Sequence, residues 1–183
     1  MEMQVRDSFA FRVNAVPVAM PRQRSSAYID KEGSARARTP YTSAKHPVNI
    51  FKAGVADKSA QHMEERPLIT SPVYVGLTIV LPRPKSLTRE WRSTGRIPMI
   101  KIKGDLDNFL KAVYDAMQSI VYDNDSRIYA SYAEAYFAAE NESPHALILV
   151  QTHDLIPSED EVPADGRKRA RKEDSQVDTE ANR

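Results

Sequence analysis

The sequence contains no cysteine, one tryptophan, four histidines and six glycines in 183 residues. Without cysteine there is no disulfide staple and no thiolate metal site, so any bound metal must sit on oxygen or imidazole. The four histidines are scattered, which favours oxygen. No stretch approaches the ~18 consecutive apolar residues of a membrane-spanning helix. The opening MEMQVRDSFAFRV carries acidic and basic residues where a signal peptide has its apolar segment, so a cytoplasmic rather than a secreted product is expected. Neither sign of charge dominates, with 26 basic and 25 acidic residues. Their distribution is uneven: residues 155–183 hold eight acidic and six basic residues, leaving 17 and 20 in residues 1–154. A mildly basic body is compatible with a nucleic-acid partner without arguing for one alone. A hydrophobic fraction of 41% in 183 residues suits one domain with a buried core.

The pattern of apolar residues gives a coarse architecture. FAFRVNAV alternates Phe9, Phe11 and Val13 against Ala10, Arg12 and Asn14, as in a half-buried strand. PVAMPRQRSSAYIDKEGSARARTPYT reads as a long loop or irregular hairpin. Val48, Phe51 and Val55 recur at helical spacing between His46 and Met63, with Thr42 and Ser43 as start signals. In VYVGLTIVL, residues 73–81, every odd position is apolar, and Pro82 and Pro84 end the strand. Residues 85–104 form a polar connection containing Trp91. Phe109, Ala112, Val113, Ala116, Met117 and Ile120 then make one stripe on a helix of about 108–120. Paired strands are expected at 127–137 and 146–152. The order β-α-β-α-β-β predicts an α+β fold with a mixed, mainly antiparallel sheet, in which a helical crossover makes some neighbours parallel. The domain spans 1–154, and 155–183 reads as a disordered charged tail. Its GRKRARK cluster is either a targeting or DNA-sliding element or part of a solvated low-complexity segment.

The chemistry concentrates in GDLDNFLKAVYDAMQSIVYDNDSRI, residues 104–128. Asp105 and Asp107 flank Leu106 in an extended approach, so their side chains point the same way. Helix capping accounts for one carboxylate, with Asp107 as N-cap and a stabilisation of ~1 kcal/mol. Asp105 is left without a structural role. Asp123 and Asp125 follow the helix, which at thirteen residues is ~20 Å long. Asp125 meets Asp105 only if the chain runs back or the turn bends over, and spacing does not decide this. Three carboxylates brought together would repel one another unless a divalent cation joined them. Mg²⁺ or Mn²⁺ would take such oxygens together with substrate phosphates. A calcium loop over DNDSRIYASYAE fails because Ile128 stands where the turn needs glycine and Arg127 cannot ligate. An Asx-rich turn is the simpler reading.

The same stretch closely resembles the signature of the RusA-type Holliday junction resolvases: a DxDN-x-x-K helix followed by an acidic turn. PVAMPRQR is similar to the family's proline- and arginine-rich N-terminal segment, TPYTSA to the tract before its first helix, and VLPRPKS to the end of its central strand. The resemblance covers roughly residues 10–150. It implies catalytic, metal-binding aspartates at Asp105, Asp107 and Asp125, with Lys111 assisting and Asn108 bracing the helix start. Three departures stand out. Asn124 precedes Asp125 where the family has a second aspartate, leaving Asp123 offset; Arg127 replaces glutamine; and Ala135 stands where a lysine is expected.

The resemblance implies a Mg²⁺-dependent endonuclease that resolves four-way DNA junctions in recombination and repair. It also implies a homodimer with one site per cut strand, a cytoplasmic, nucleoid-associated location and a bacterial or phage origin. Arg22, Arg24, Arg36, Arg38 and Lys103 are expected to contact phosphates, with solvated loop cations as the competing reading. Tyr129, Tyr132, Tyr136 and Phe137 are interface candidates. The alternatives are a catalytically impaired junction-binding protein and a metal-dependent nuclease for another branched substrate.

Overall fold

The alternation at residues 73–81 produces the central strand. A computed structural model describes residues 2–21, 26–38, 42–85, 95–99 and 105–156. In it Val73, Val75, Leu77, Ile79 and Leu81 are all buried. The elements in chain order are β1 (Glu2–Val13), β2 (Ser26–Ile29), β3 (Ala35–Arg38), α1 (Val48–Met63), β4 (Val73–Leu81), β5 (Ile97–Pro98), α2 (Leu106–Met117), a 3-10 turn (Asp125–Arg127), β6 (Ile128–Phe137) and β7 (His145–Ile156). Five strands form one sheet in the order β1-β7-β4-β6-β5, and β2 and β3 form a separate hairpin. β4 runs antiparallel to β7, and β5 antiparallel to β6. β4 and β6 are parallel, a pairing that requires a crossover, and α2 lies within it. The fold is α+β with a mixed sheet, as the pattern of elements predicts.

The helices bury their stripes on one side of this sheet. Val48, Phe51, Val55, Ser59 and Met63 point inward from α1, and Phe109, Ala112, Val113, Ala116 and Met117 from α2. They join Phe11, Val13, Ala146, Ile148 and Val150 in one core. Gly54 allows α1 to approach β1, because a Cβ there would stand 3.0 Å from Val13 Cγ1.

Several boundaries differ from the sequence expectation. The segment after β1 is in part a regular hairpin, with β2 and β3 joined by a turn in which Asp30 accepts hydrogen bonds from the Glu32 and Ser34 amides. α1 begins after Pro47 rather than at His46, the ring having fixed φ for a first turn. α2 covers 106–117 rather than about 108–120, because Ser119 takes a positive φ of 63°. Ile120 nevertheless stays near the stripe, its amide bonded to Met117 O at 3.1 Å. β5 lies in the stretch read as a polar connection. β7 continues to Ile156, past the boundary expected at 154. Trp91 and residues 157–183 lie outside the described residues. By its contacts the chain divides into Val5–His153 and a small unit of Met1–Gln4 with Asp154–Arg183. The small unit contributes only strand residues to the described structure.

Candidate active site

Asp105 is the N-cap of α2, with extended backbone at φ −77° and ψ 151°. Its carbonyl accepts the Asn108 amide at 3.0 Å, while its side chain accepts no capping bond from the first turn. Asp107, expected as the cap, instead lies inside the first turn, where the helix dipole favours a negative charge. Leu106 packs against the core, which draws the helix start upstream of Asp107. Both residues are exposed. The Met20 amide donates to Asn108 O at 2.9 Å, placing Met20 beside this helix start. Arg22, Arg24 and Lys103 themselves lie outside the described residues.

Lys111 is exposed one turn beyond Asp107. Its Nζ stands 3.7 Å from Asp115 Oδ1, and Lys52 Nζ is 3.4 Å from Asp115 Oδ2. One carboxylate thus holds an ammonium group from each helix, Lys52 of α1 and Lys111 of α2.

Asp125 is found elsewhere. It opens the 3-10 turn before β6 and lines a shallow hollow of about 450 Å³ with Tyr114, Ser126, Tyr129 and Ser131. Beside it the Tyr122 hydroxyl donates to Tyr114 O at 3.1 Å. Burial pushes the Tyr122 hydroxyl well above the usual tyrosine range, and the nearby Tyr114, Asp125 and Asp115 add to the effect. Along α2, the rise from Asp105 to Tyr114 is about 13 Å. Among the described residues no three His, Cys, Asp or Glu side chains form a group that could hold a metal. Asp105 and Asp107 thus share the start of α2, and Asp125 lies in the 3-10 turn beside Tyr114.

Two departures from the family pattern turn out to be one structural feature. Arg127 donates to both oxygens of Asp123, Nε and NH2 each at 2.9 Å. These bonds hold the Asp123 carboxyl down at about 2, against a smaller opposing effect of desolvation. Asn124 acts separately, its side-chain oxygen accepting the Ser126 amide at 2.9 Å and capping the turn that carries Asp125.

The remaining candidates divide. Arg36 Nε bonds to Asp30 Oδ2 at 2.7 Å, which lowers the Asp30 carboxyl, helped by the Ser34 amide. For Arg38 the strand position in β3 is described. Ala135 packs against the core and its carbonyl accepts the Met99 amide at 3.0 Å. Tyr129 stands edge-on to His153, with centroids 5.3 Å apart, and Tyr132 is 58% exposed. Tyr136 bonds to Glu134 and Phe137 packs on the core. Sequence reasoning missed Glu134, which accepts from Thr78 Oγ1 and the Tyr136 hydroxyl, each at 2.8 Å, and from the Tyr132 hydroxyl at 3.2 Å. Its place in the alternation of β6 was the available signal.

For a hard divalent cation the fit is that of a pair rather than a triad. Mg²⁺ is commonly held by one or two carboxylates, with water and phosphate completing its shell. Asp105 and Asp107 supply two such groups, both on exposed residues.

Comparison with known proteins bears on the same residues. A family model described as endodeoxyribonuclease RusA matches residues 14–150. The uncharacterized protein YqaN of Bacillus subtilis (strain 168) is 29% identical over 138 residues, covering 73% of this chain and 91% of that protein. The matched span runs from the end of β1 through the DxDN helix and the acidic turn into β7, and the chain belongs to the RusA endodeoxyribonuclease family.

Proposed function

We propose that the protein is a Mg²⁺-dependent endonuclease, with Mn²⁺ as an alternative ion, that resolves four-way DNA junctions by paired phosphodiester hydrolysis in recombination and repair. It would act on the nucleoid in the cytoplasm. The observation that carries this reading is the start of α2, where Asp105 and Asp107 present two exposed carboxylates on either side of Leu106. They would hold the metal ion. When bound, Mg²⁺ supplies a water of lowered pKa and neutralises charge developing on the phosphate.

The chain's own residues do the rest. Lys111, on the same face one turn on, leaves Asp115 to meet the scissile phosphate as a point charge. Arg22, Arg24, Arg36, Arg38 and Lys103 position the DNA backbone without reading sequence, and for Arg36 this means exchanging Asp30 for a phosphate. Asp125 contributes to the same reaction from its place beyond the last turn of α2. A junction is cut in two strands, so the working form is a homodimer with one site per strand.

A second reading is favoured by one observation: the three aspartates form no group within a single chain. In it the protein binds junctions and is impaired in cutting, or cuts another branched substrate. The test is incubation of a labelled synthetic four-way junction with Mg²⁺ or with EDTA, using the parent protein, Asp107→Asn and Asp125→Asn. Paired symmetrical nicks that need metal and vanish in both variants are expected. Binding without nicks establishes the second reading, and linear duplex cut as readily as the junction removes junction selectivity. If only Asp107→Asn fails, Asp125 has no part in the chemistry.

A further inference from the structure

Lys111 stands between two acids on one side of α2, Asp107 four residues before it and Asp115 four residues after. Both are within reach of its ammonium group, and on an isolated helix an acid four residues before a lysine makes the better pair. The structure shows the other choice. Among the described residues Lys111 pairs with Asp115, at 3.7 Å, and makes no ion pair with Asp107. The reason lies in α1, which packs against α2. Lys52 reaches across to the second oxygen of Asp115 at 3.4 Å, so the Asp115 carboxylate is already fixed when Lys111 meets it. Side-chain exposure follows the same order: 25% for Asp115, 27% for Lys52 and 59% for Lys111. A fixed, part-buried carboxylate attracts a cation more strongly than an exposed one that must first be ordered.

We infer that Asp115 is a positioning residue: it keeps Lys111 off Asp107 while DNA is absent and, because Lys52 remains, lets Lys111 go when a phosphate arrives. The inference rests on the reading that Asp105 and Asp107 hold the metal ion. An ammonium group on Asp107 would cancel the charge and occupy the oxygens that a divalent cation needs. Turned to Asp115, it leaves the Asp107 carboxylate open. Release is the harder half, since taking the single partner from a part-buried carboxylate leaves a charge uncompensated. Here two ammonium groups share one carboxylate, and the departure of Lys111 leaves the neutral pair of Lys52 and Asp115. Lys52 thus gives α1 a part in a site otherwise placed on α2.

Binding of Mn²⁺ to the full chain without DNA, followed by EPR titration, tests this apart from cleavage. Asp115→Asn should weaken Mn²⁺ binding about two- to five-fold, as Lys111 turns to Asp107. Lys111→Gln should then tighten binding more in the Asp115→Asn background than in the parent chain, by a similar factor. Neither simple loss of a charge nor a damaged helix produces that non-additivity. The release is read from junction binding in EDTA: Lys52→Gln should weaken it about two- to five-fold when Asp115 is present and leave it unchanged in the Asp115→Asn background. Equal effects of Lys111→Gln in the two backgrounds overturn the inference alone, and equal losses from Lys52→Gln overturn the release and make Lys52 a DNA contact. A parent chain that binds no Mn²⁺, or an Asp107→Asn chain that binds it as well as the parent, overturns the metal reading and the inference with it.

Discussion

Asp105 and Asp107 are separated by one change of backbone conformation, from extended to helical, and this change assigns the cap to the first of them. If the pair holds metal, Asp105→Asn and Asp107→Asn should each reduce metal-dependent nicking by at least about 100-fold, with junction affinity equal or higher as negative charge facing phosphate is lost. Gel-shift and cleavage assays on the same preparations separate the two effects. Arg127→Ala should release Asp123, whose carboxyl then rises from about 2 toward 3.8, as read by NMR titration. Because the folded value is depressed, the pair stabilises the fold at pH above the unfolded value of 3.8, and that contribution disappears as pH falls toward about 2. The carboxylate pair was legible in the sequence, since DxDN puts two acids within a single cap. The Asp123–Arg127 bond was not, because a four-residue spacing outside a helix carries no fixed geometry.

Among elements, α2 and β4 were the most legible because each buries one continuous face, and burial imposes the period of 3.6 or 2 that the sequence displays. Phe109→Ala, in the middle of the α2 stripe, should destabilise by about 3–5 kcal/mol in equilibrium denaturation. The hairpin and β5 were less legible for the same reason. β5 is two residues long, and its pairing to Tyr136 and Phe137 is decided by a distant partner. Beside it Arg96 bonds to Glu142 at 2.6 Å in the connection between β6 and β7, and this bond lowers the Glu142 carboxyl to about 2. The contribution is present above the ordinary value of 4.5 and lost as pH falls toward about 2. Thermal unfolding of Glu142→Gln should therefore depend less on pH in that window than the parent protein does.

At the scale of the whole molecule, removal of residues 157–183, whose composition is mostly polar and charged, should leave the melting temperature and junction cleavage unchanged. A fall in junction affinity at low salt would instead assign GRKRARK to DNA binding. The sheet order, β1-β7-β4-β6-β5, sets the timing of folding. The last described strand in the chain lies between the first strand and the central one, so β1 has no neighbour in the sheet until β7 arrives. The parallel β4–β6 pair must likewise wait for the crossover that carries α2. Such distant pairings are slow to close. A chain still being synthesised therefore carries its DxDN segment without the scaffold that holds it, and hydrogen-exchange protection should appear in β1 and β7 together. Cutting capacity would then arise in a single late step, after β7 has been made, and chains truncated before β7 should have none.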